Sequence, residues 1–348
     1  MKKKYLLSAI SLLVASHAAY GQKTWTLQEC FDYALDNNIQ LQQKKIAAAS
    51  SHEDVLQSKS ALFPSISFNT NQNVSWRPFA ETTINLTNGS MTTNRNTVSY
   101  NGSYGINANW TVWNGNRNIN NIKQNKLSEE IATLEVEQQM NSIQEQIAQL
   151  YVQILYETDA VNVCKEIIKS SEMQRDRAQK MVELGSLARV DLVQLEAQVS
   201  QDHYSLAQAE SQLANYKLQL KQLLEIHDNE PFNIVIPNLP EENIFSTIPD
   251  EQSVYNAALA NRPEIQSSKL NVASSEIAIA SARAGYMPTV SLTVGMGSNN
   301  SSGQNTAFTE QIKKNLSNSI GLTVAMPIFD NLQTRTNIRK AKYTHQTN

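Results

Sequence analysis

The residues of this chain best suited to covalent or metal chemistry are two cysteines and five histidines. A thiolate can act as a nucleophile or bind a soft metal, and an imidazole can move protons or ligate zinc. Either role needs partners at a defined spacing. Cys30 and Cys164 form no C-x-x-C pair, and His17, His52, His203, His227 and His345 are scattered without an H-E-x-x-H pattern. There is no G-x-S-x-G and no glycine-rich phosphate loop. Both cysteines occupy apolar positions of helical patterns, which reads as two buried free thiols, although an exported protein could carry a disulfide. No acid–base or nucleophile cluster is assembled, so no catalytic residue, cofactor or metal site is expected and an enzyme is disfavoured.

The rest of the composition favours architecture over chemistry. The 348 residues are 41% hydrophobic and 18% charged, with a net charge of −3. The chain is rich in Gln, Asn, Ser and Ala, a mix that suits long solvated helices with narrow apolar seams. Without a basic block, nucleic acid is not an expected partner. Lys2, Lys3 and Lys4 precede an apolar run from Tyr5 to Ala15, and Ala19-Tyr20-Gly21 gives a small-x-small site. Residues 1–21 therefore read as a secretory signal peptide. No cysteine follows it to carry a lipid, and no later stretch is apolar for long enough to span a membrane as a helix.

The remainder repeats itself. Residues 27–68 align with 251–292 at an offset of 224: Ala34-Leu35-Asp36-Asn37 meets Ala258-Leu259-Ala260-Asn261, and Pro64 meets Pro288. A second block aligns at 216, where Asn121-Ile122-Lys123 meets Asn337-Ile338-Arg339. Each repeat reads helix, strand, strand, helix. Repeat 1 spans 22–227, with a helix over 27–63, strands over 65–76 and 98–113, and long helices over 116–184 and 188–226. Thr26 and Glu29 form a capping box at its start. A Pro-containing equatorial segment, 228–250, follows and is expected to be irregular. Repeat 2 spans 251–348, with a helix over 251–287 that Pro263 kinks or divides, strands over 289–297 and 315–329, and the start of a second long helix.

The strands alternate with period two. Val98, Tyr100, Tyr104, Ile106, Ala108, Trp110 and Val112 fall on one face, and Ser99, Asn101, Ser103, Asn107, Asn109 and Thr111 on the other. Leu316, Ile320, Leu322, Val324, Met326 and Ile328 repeat the pattern near the end, and Ile66, Phe68, Val74 and Trp76 carry it in the first strand, interrupted by Thr70 and Gln72. Long strands with one apolar and one small polar face suit a transmembrane barrel, lipid outside and water inside. Trp76, Tyr100, Tyr104 and Trp110 would form its aromatic girdle. A soluble sandwich also alternates, but its strands are usually shorter. Four strands cannot close a barrel, and open edges are not tolerated in lipid, so several chains would have to share one.

The helices set the scale. Residues 116–184 contain no Pro or Gly, and at 1.5 Å per residue they reach roughly 100 Å. Met140, Ile147, Ile154, Val161 and Ile168 recur every seven residues, joined by Ile143 and Leu150. Leu192, Val199, Leu206, Leu213 and Leu220 do the same on the return, and Asp202 is the one polar residue in the second row of that seam. This pattern describes an antiparallel coiled-coil hairpin with its tip at Gly185–Asp191. Gly185 permits a tight turn, and Asp191 could cap the returning helix.

The signal peptide, tandem repeat, two strands per repeat and heptad hairpin together resemble the TolC-like outer membrane factors. The marks are Leu27–Asn37 followed by Ile39, the tip Gly185-x-x-Ala188-x-x-Asp191, and Arg262-Pro263-Glu264-Ile265 in the second repeat. The resemblance covers essentially all of the chain after the signal. It implies a mixed fold: a long α-helical hairpin plus four amphipathic strands given to a shared, trimeric, twelve-stranded barrel. It implies a homotrimer in the outer membrane lipid, extending into the periplasm and docked to a periplasmic adaptor and an inner-membrane pump. The function implied is a passive exit duct for efflux or type I secretion, with Gly185, Ser186, Leu187, Ala188 and Asp191 as the adaptor-docking tip. Turn chemistry alone accounts for the same tip residues. The competing reading is a periplasmic coiled-coil adaptor or binding protein, which leaves the four amphipathic strands unexplained. By internal symmetry the second hairpin is absent, so a chain about a hundred residues longer is expected for a complete protomer.

Overall fold

The computed structural model describes residues 24–76, 78–79, 83–87, 90–94, 98–227, 232–237, 250–302, 304 and 306–348. The expected signal peptide, residues 1–21, and most of the equatorial segment, residues 228–231 and 238–249, lie outside the described residues. The elements are β1 (Thr24–Trp25), α1 (Leu27–Asn37), α2 (Ile39–Ser60), β2 (Ser65–Trp76), β3 (Thr83–Thr87), β4 (Ser90–Asn94) and β5 (Val98–Trp113). Next come α3 (Arg117–Glu183), α4 (Arg189–Leu223), β6 (Asn233–Ile234), α5 (Glu251–Asn261) and α6 (Pro263–Arg283). The chain ends with β7 (Thr289–Ser301), α7 (Phe308–Lys314), β8 (Ser317–Ala325) and α8 (Gln333–Thr347). Two compact units cut across the sequence repeats: one holds residues up to Ala47 and Leu134–Pro263, the other Ala48–Thr133 and Glu264–Asn348.

The first unit has its core where α1, the start of α2, the middle of α3 and the end of α4 meet. Cys30, Ala34, Leu41, Ile147, Ile154, Leu220 and Leu224 are wholly buried there, with Ile143, Tyr151, Trp25 and Phe232 almost so. The segment expected to be irregular contributes to this core. Asn233 and Ile234 pair in parallel with Thr24 and Trp25, and Phe232 stacks on Trp25 at 6.0 Å. The Tyr151 hydroxyl donates to the Val235 carbonyl and so ties the long helix to this small sheet. Further along the hairpin, Ile143, Ile147, Ile154, Val161 and Ile168 of α3 and Val199 and Leu220 of α4 are the buried seam residues, whereas Met140 and Leu150 are only half-buried. Asp202 is buried in that seam, where Gln198 Nε2 donates to its Oδ1 at 2.8 Å. Neither cysteine forms a disulfide, and only Cys30 is buried; Cys164 is half-exposed because its position on α3 borders the seam.

The single helix expected over 27–63 is two helices ending at Ser60, broken at Asn38. Asn38 is 2% exposed, and both ends of its amide are engaged. Oδ1 accepts from Leu41 N at 3.1 Å, and Nδ2 donates to Leu223 O at 3.0 Å. It therefore caps one helix while satisfying a terminal carbonyl of another. The 224-residue offset places Arg262 at the same break in the second repeat, where α5 ends and α6 begins on Pro263. The entries match too: Thr26 accepts from Glu29 N within a full capping box, and Asp250 accepts from Ser253 N.

The second unit contains the four-stranded antiparallel sheet β2-β5-β7-β8, with β3 and β4 as a separate hairpin. β7 runs to Ser301, beyond the expected 297, because it pairs with β5 as far as Asn101. β8 stops at Ala325, short of the expected 329, because Pro327 has no N–H to continue a ladder. Each strand-to-helix turn uses two consecutive left-handed residues, Gly115-Asn116 before α3 and Asn331-Leu332 before α8. Each turn is also capped by the residue just before that pair. Asn114 Oδ1 accepts from Asn118 N at 3.2 Å, and Asp330 Oδ2 from Thr334 N at 2.8 Å. A Cβ on Gly115 would lie 2.7 Å from Met287 Cβ, so glycine is needed there for packing as well as for its positive φ.

Two outcomes are expected in denaturation experiments. Asn38→Ala leaves Leu41 N and Leu223 O without their partner inside the core, at a cost of about 1–3 kcal/mol. An unchanged unfolding midpoint would remove the bridging role. Burial raises the Tyr151 phenol above its ordinary 10.0, and Cys30 and Glu29 act in the same direction. The unfolded chain gives up this proton first, so the stabilisation is complete below pH ~10 and is lost as pH rises through the folded value. Tyr151→Phe should flatten the alkaline loss of stability measured by circular dichroism.

Candidate functional site

The site residues expected from the sequence fall on two surfaces. The first is the sheet, whose register keeps the alternation of all four strands in phase. One face carries the cross-strand rows Ile66/Ala108/Val294/Ile320 and Phe68/Ile106/Met296, the latter completed on β8 by the polar Asn318, together with Trp110/Leu292/Leu322 and Trp113/Val290/Val324. The other carries Ser67/Asn107/Gly295/Ser319 and Ser65/Asn109/Thr293/Gly321, with Asn71/Ser103/Asn299 beyond. Each row aligns only because neighbouring strands are antiparallel and unslipped; a shift of one residue would mix the faces. The bulge between Thr111 and Trp113 changes the phase, so Trp113 joins the apolar rows in place of Val112. The apolar side chains are open in the single chain: Ile66 is 72% exposed, Ile320 77% and Leu322 67%. An apolar patch of this extent on one face of a sheet is a surface built for burial.

The four aromatic residues expected to form a girdle divide between the two ends of that face. Trp110 lies at the helix end, where its Nε1 donates to Leu62 O at 2.7 Å. Trp76, Tyr100 and Tyr104 lie towards the other end, with Tyr100 hydrogen-bonded to Gln72 and Trp76 opposite Val98. Tyr100 and Trp110 are ten residues apart on β5. At about 3.3 Å per residue and a tilt of 35–45°, they would stand roughly 25 Å apart along a barrel axis, the height of a lipid-facing band. Phe63, Trp113, Tyr286 and Phe329 were not anticipated in this set, yet all are exposed around the strand–helix junctions. Their adjacency to strand ends, beside Pro64 and Pro288, was the available signal.

The second surface is the hairpin tip. Gly185 has φ of +72°, its N–H donates to Val182 O at 2.9 Å, and Ser186 N donates to Met181 O at 2.9 Å. These two bonds close α3 with a left-handed glycine cap that satisfies its last carbonyls. Asp191 does not cap α4. Ala188 is the N-cap residue, with no side-chain bond, and Asp191 sits three residues on in the first turn, where its charge faces the positive helix end. Gly185, Ser186, Ala188 and Asp191 are exposed and Leu187 is half-buried. Leu184 and Val190, at 82% and 67% exposure, flank them and make the tip more apolar than its small residues suggest. Among the described residues no cluster of three or more metal-ligating side chains occurs, and no helix is long and apolar enough to cross a membrane.

The sequence model of the family described as "Outer membrane efflux protein" matches residues 31–225 and 254–348. The chain belongs to the outer membrane efflux protein family. That family is one of outer-membrane transport proteins and not of enzymes. Solved channels share the fold. CusC, described for folding and transmembrane channel formation, aligns with a TM-score of 0.75 at 15% identity, over 95% of this chain and 73% of its own. The CmeC outer membrane channel of Campylobacter jejuni aligns at 0.75 and 19% identity, over 92% and 65%. The MtrE outer membrane channel of Neisseria gonorrhoeae, in its open state, aligns at 0.64 and 18% identity, over 92% and 67%. This chain thus spans about two thirds to three quarters of the length of those channels. No curated protein sequence matches it significantly.

If the apolar face meets hydrocarbon, a charge at its centre is costly and one on the opposite face is not. Val294→Lys should lose about 2–4 kcal/mol of insertion free energy, whereas Ser319→Lys should stay near wild type. Partition of the two variants into vesicles measures this, and equal behaviour would remove the distinction between the faces.

Proposed function

We propose that this chain is a protomer of a passive exit duct in the outer membrane, the outermost part of a tripartite efflux pump or type I secretion system. The observation that carries the reading is the in-phase sheet, apolar on one side and small and polar on the other across all four strands. An apolar outside and a water-filled inside is the division a transmembrane barrel requires. The outer edges of β2 and β8 have no partner among the described residues, and an unpaired edge is not tolerated in lipid. Three chains contributing four strands each would close a barrel of twelve. β5 continues through one short turn into α3, whose 67 residues measure about 100 Å, long enough for a periplasmic conduit.

The hairpin also supports assembly. Val152, Tyr156, Val163 and Ile167 follow one another at intervals of four, seven and four residues, which puts them on one face of α3; they are between 48% and 71% exposed, outside the seam shared with α4. Such a second stripe suits packing against further hairpins in a trimer. The tip, Gly185 to Asp191, is the surface offered to a periplasmic adaptor, which in turn meets an inner-membrane pump. The competing reading, a periplasmic adaptor without a barrel, gives the apolar face nothing to cover it.

Outer-membrane fractionation, heat-modifiable migration and single-channel conductance test the duct. A protein found only in the soluble periplasm would overturn it. The tip is tested with a pair of variants. Gly185→Ala meets open space and carries only the strain of positive φ, about 1–2 kcal/mol. Gly185→Trp adds bulk at the same strain. Export should survive the alanine and be lost with the tryptophan while trimers persist; normal export in both variants would exclude docking at the tip.

A further inference from the structure

The connection between β7 and β8 contains a helix that the alternation did not foreshadow. α7 (Phe308–Lys314) folds back over the apolar face of the sheet at the end away from the strand–helix junctions. Two contacts establish which face it covers. The rings of Tyr104 and Phe308 meet edge to face at 6.2 Å, and Ser298 Oγ donates to Ile312 O at 2.7 Å. Tyr104 and Ser298 are cross-strand partners on the apolar side, one row beyond Ile106 and Met296. Three amide contacts hold the helix in place. Ser301 N donates to Gln311 Oε1 at 2.8 Å, Gln311 Nε2 to Thr306 O at 2.8 Å, and Asn315 Nδ2 to Asn299 O at 2.8 Å. Gln311 is buried under it.

The position of the helix coincides with a change in the sheet. The rows Thr70/Tyr104/Ser298 and Gln72/Gly102/Asn300 interrupt the apolar face, which resumes on β2 and β5 at Val74/Tyr100 and Trp76/Val98. Asn300 is buried there with its Oδ1 unpartnered. The exposed surface of α7 and the residues after it has a different character. Phe308 and Leu316 are 52% and 54% exposed, and Lys313 and Lys314 are exposed side by side in the last turn. Neither lysine makes an ion pair among the described residues. Apolar side chains next to unpaired cations, beside the polar rows that interrupt a hydrocarbon-facing surface, match the physics of an interfacial helix.

We propose that α7 is a membrane-interface collar in which Lys313 and Lys314 bind the phosphate groups of lipid headgroups, with Phe308 and Leu316 at the acyl boundary. The proposal rests on the reading of the apolar face as lipid-facing and adds a lipid preference to it. Lysine near an anionic lipid surface is attracted over a Debye length, so the preference is ionic-strength dependent. The collar also explains why a polar row can follow the apolar rows on the same side of the sheet: α7 covers it.

The test uses the full chain in phosphatidylcholine vesicles and in vesicles with about a third phosphatidylglycerol, a composition whose surface charge attracts nearby lysines. Acetic anhydride labelling, read by mass spectrometry, compares Lys313 and Lys314 with Lys169, an exposed lysine on α3. The expected result is several-fold slower acetylation of Lys313 and Lys314 in the anionic vesicles only, reversed by high salt, with Lys169 unchanged. The variant K313Q/K314Q should insert normally and lose its preference for anionic vesicles. Insertion into both vesicles with equal labelling overturns the collar and leaves the duct standing. Failure to enter either vesicle overturns both readings.

Discussion

Strand register is the constraint on which the sheet depends. Ile66, Ala108, Val294 and Ile320 come from strands spread over most of the chain, yet they stand in one row. Each pairing must keep a period-two pattern in phase with the next, because a slip of one residue would turn a strand's apolar set to the other face. The two repeats supply two strands each, and β5 pairs with β7 across the repeat boundary as extensively as β2 pairs with β5 within one. Tandem duplication therefore produced a surface, and not two independent domains. The compact units follow space and not sequence halves, since the sheet of one unit is built from both repeats.

The turns that launch the long helices show how little freedom that arrangement leaves. A strand running into a helix at this end of the sheet must change its backbone geometry within two residues. Both repeats achieve this with two left-handed residues behind an Asn or Asp cap. In the first repeat glycine takes one of these positions, and in the second Asn331 and Leu332 adopt them without glycine. An L-residue at positive φ carries strain of about 1–2 kcal/mol, which surrounding contacts must offset. His52 meets Glu129 at 2.6 Å in the first repeat, whereas the same offsets place Glu276 and His345 in the second, where His345 bonds Ser275 at 2.7 Å.

The hairpin follows a different rule. Its seam is a run of isoleucines and leucines at heptad spacing, broken by Asp202, which is buried with one carboxylate oxygen held by Gln198 and the other unpartnered. Lys165 with Glu210, and His203 with Glu172, line its rim at 3.5 and 3.6 Å. These exposed pairs contribute little to stability, so the seam and the glycine cap at Gly185 account for the hairpin's form.

Much of this was legible in the sequence because it depends on period and punctuation. Alternation by two places Ile66, Phe68, Ile106 and Ile320 on one face. Spacing by seven marks Ile147, Ile154, Val161 and Ile168, and the absence of Pro and Gly sets the length of α3. Pro263 announced a break in one repeat, but the same break at Asn38 in the other had no such mark, because an asparagine reveals its capping role only when Leu41 N and Leu223 O are brought beside it. Pairing order, the phase shift at Thr111, the joining of Thr24–Trp25 to Asn233–Ile234, and the covering of Tyr104 and Ser298 by α7 were likewise decided by tertiary structure. Each brings together residues far apart in the chain, or alters a strand by a single residue. Local periodicity carries no information about either, since it records which side of an element is apolar and not what will lie against it.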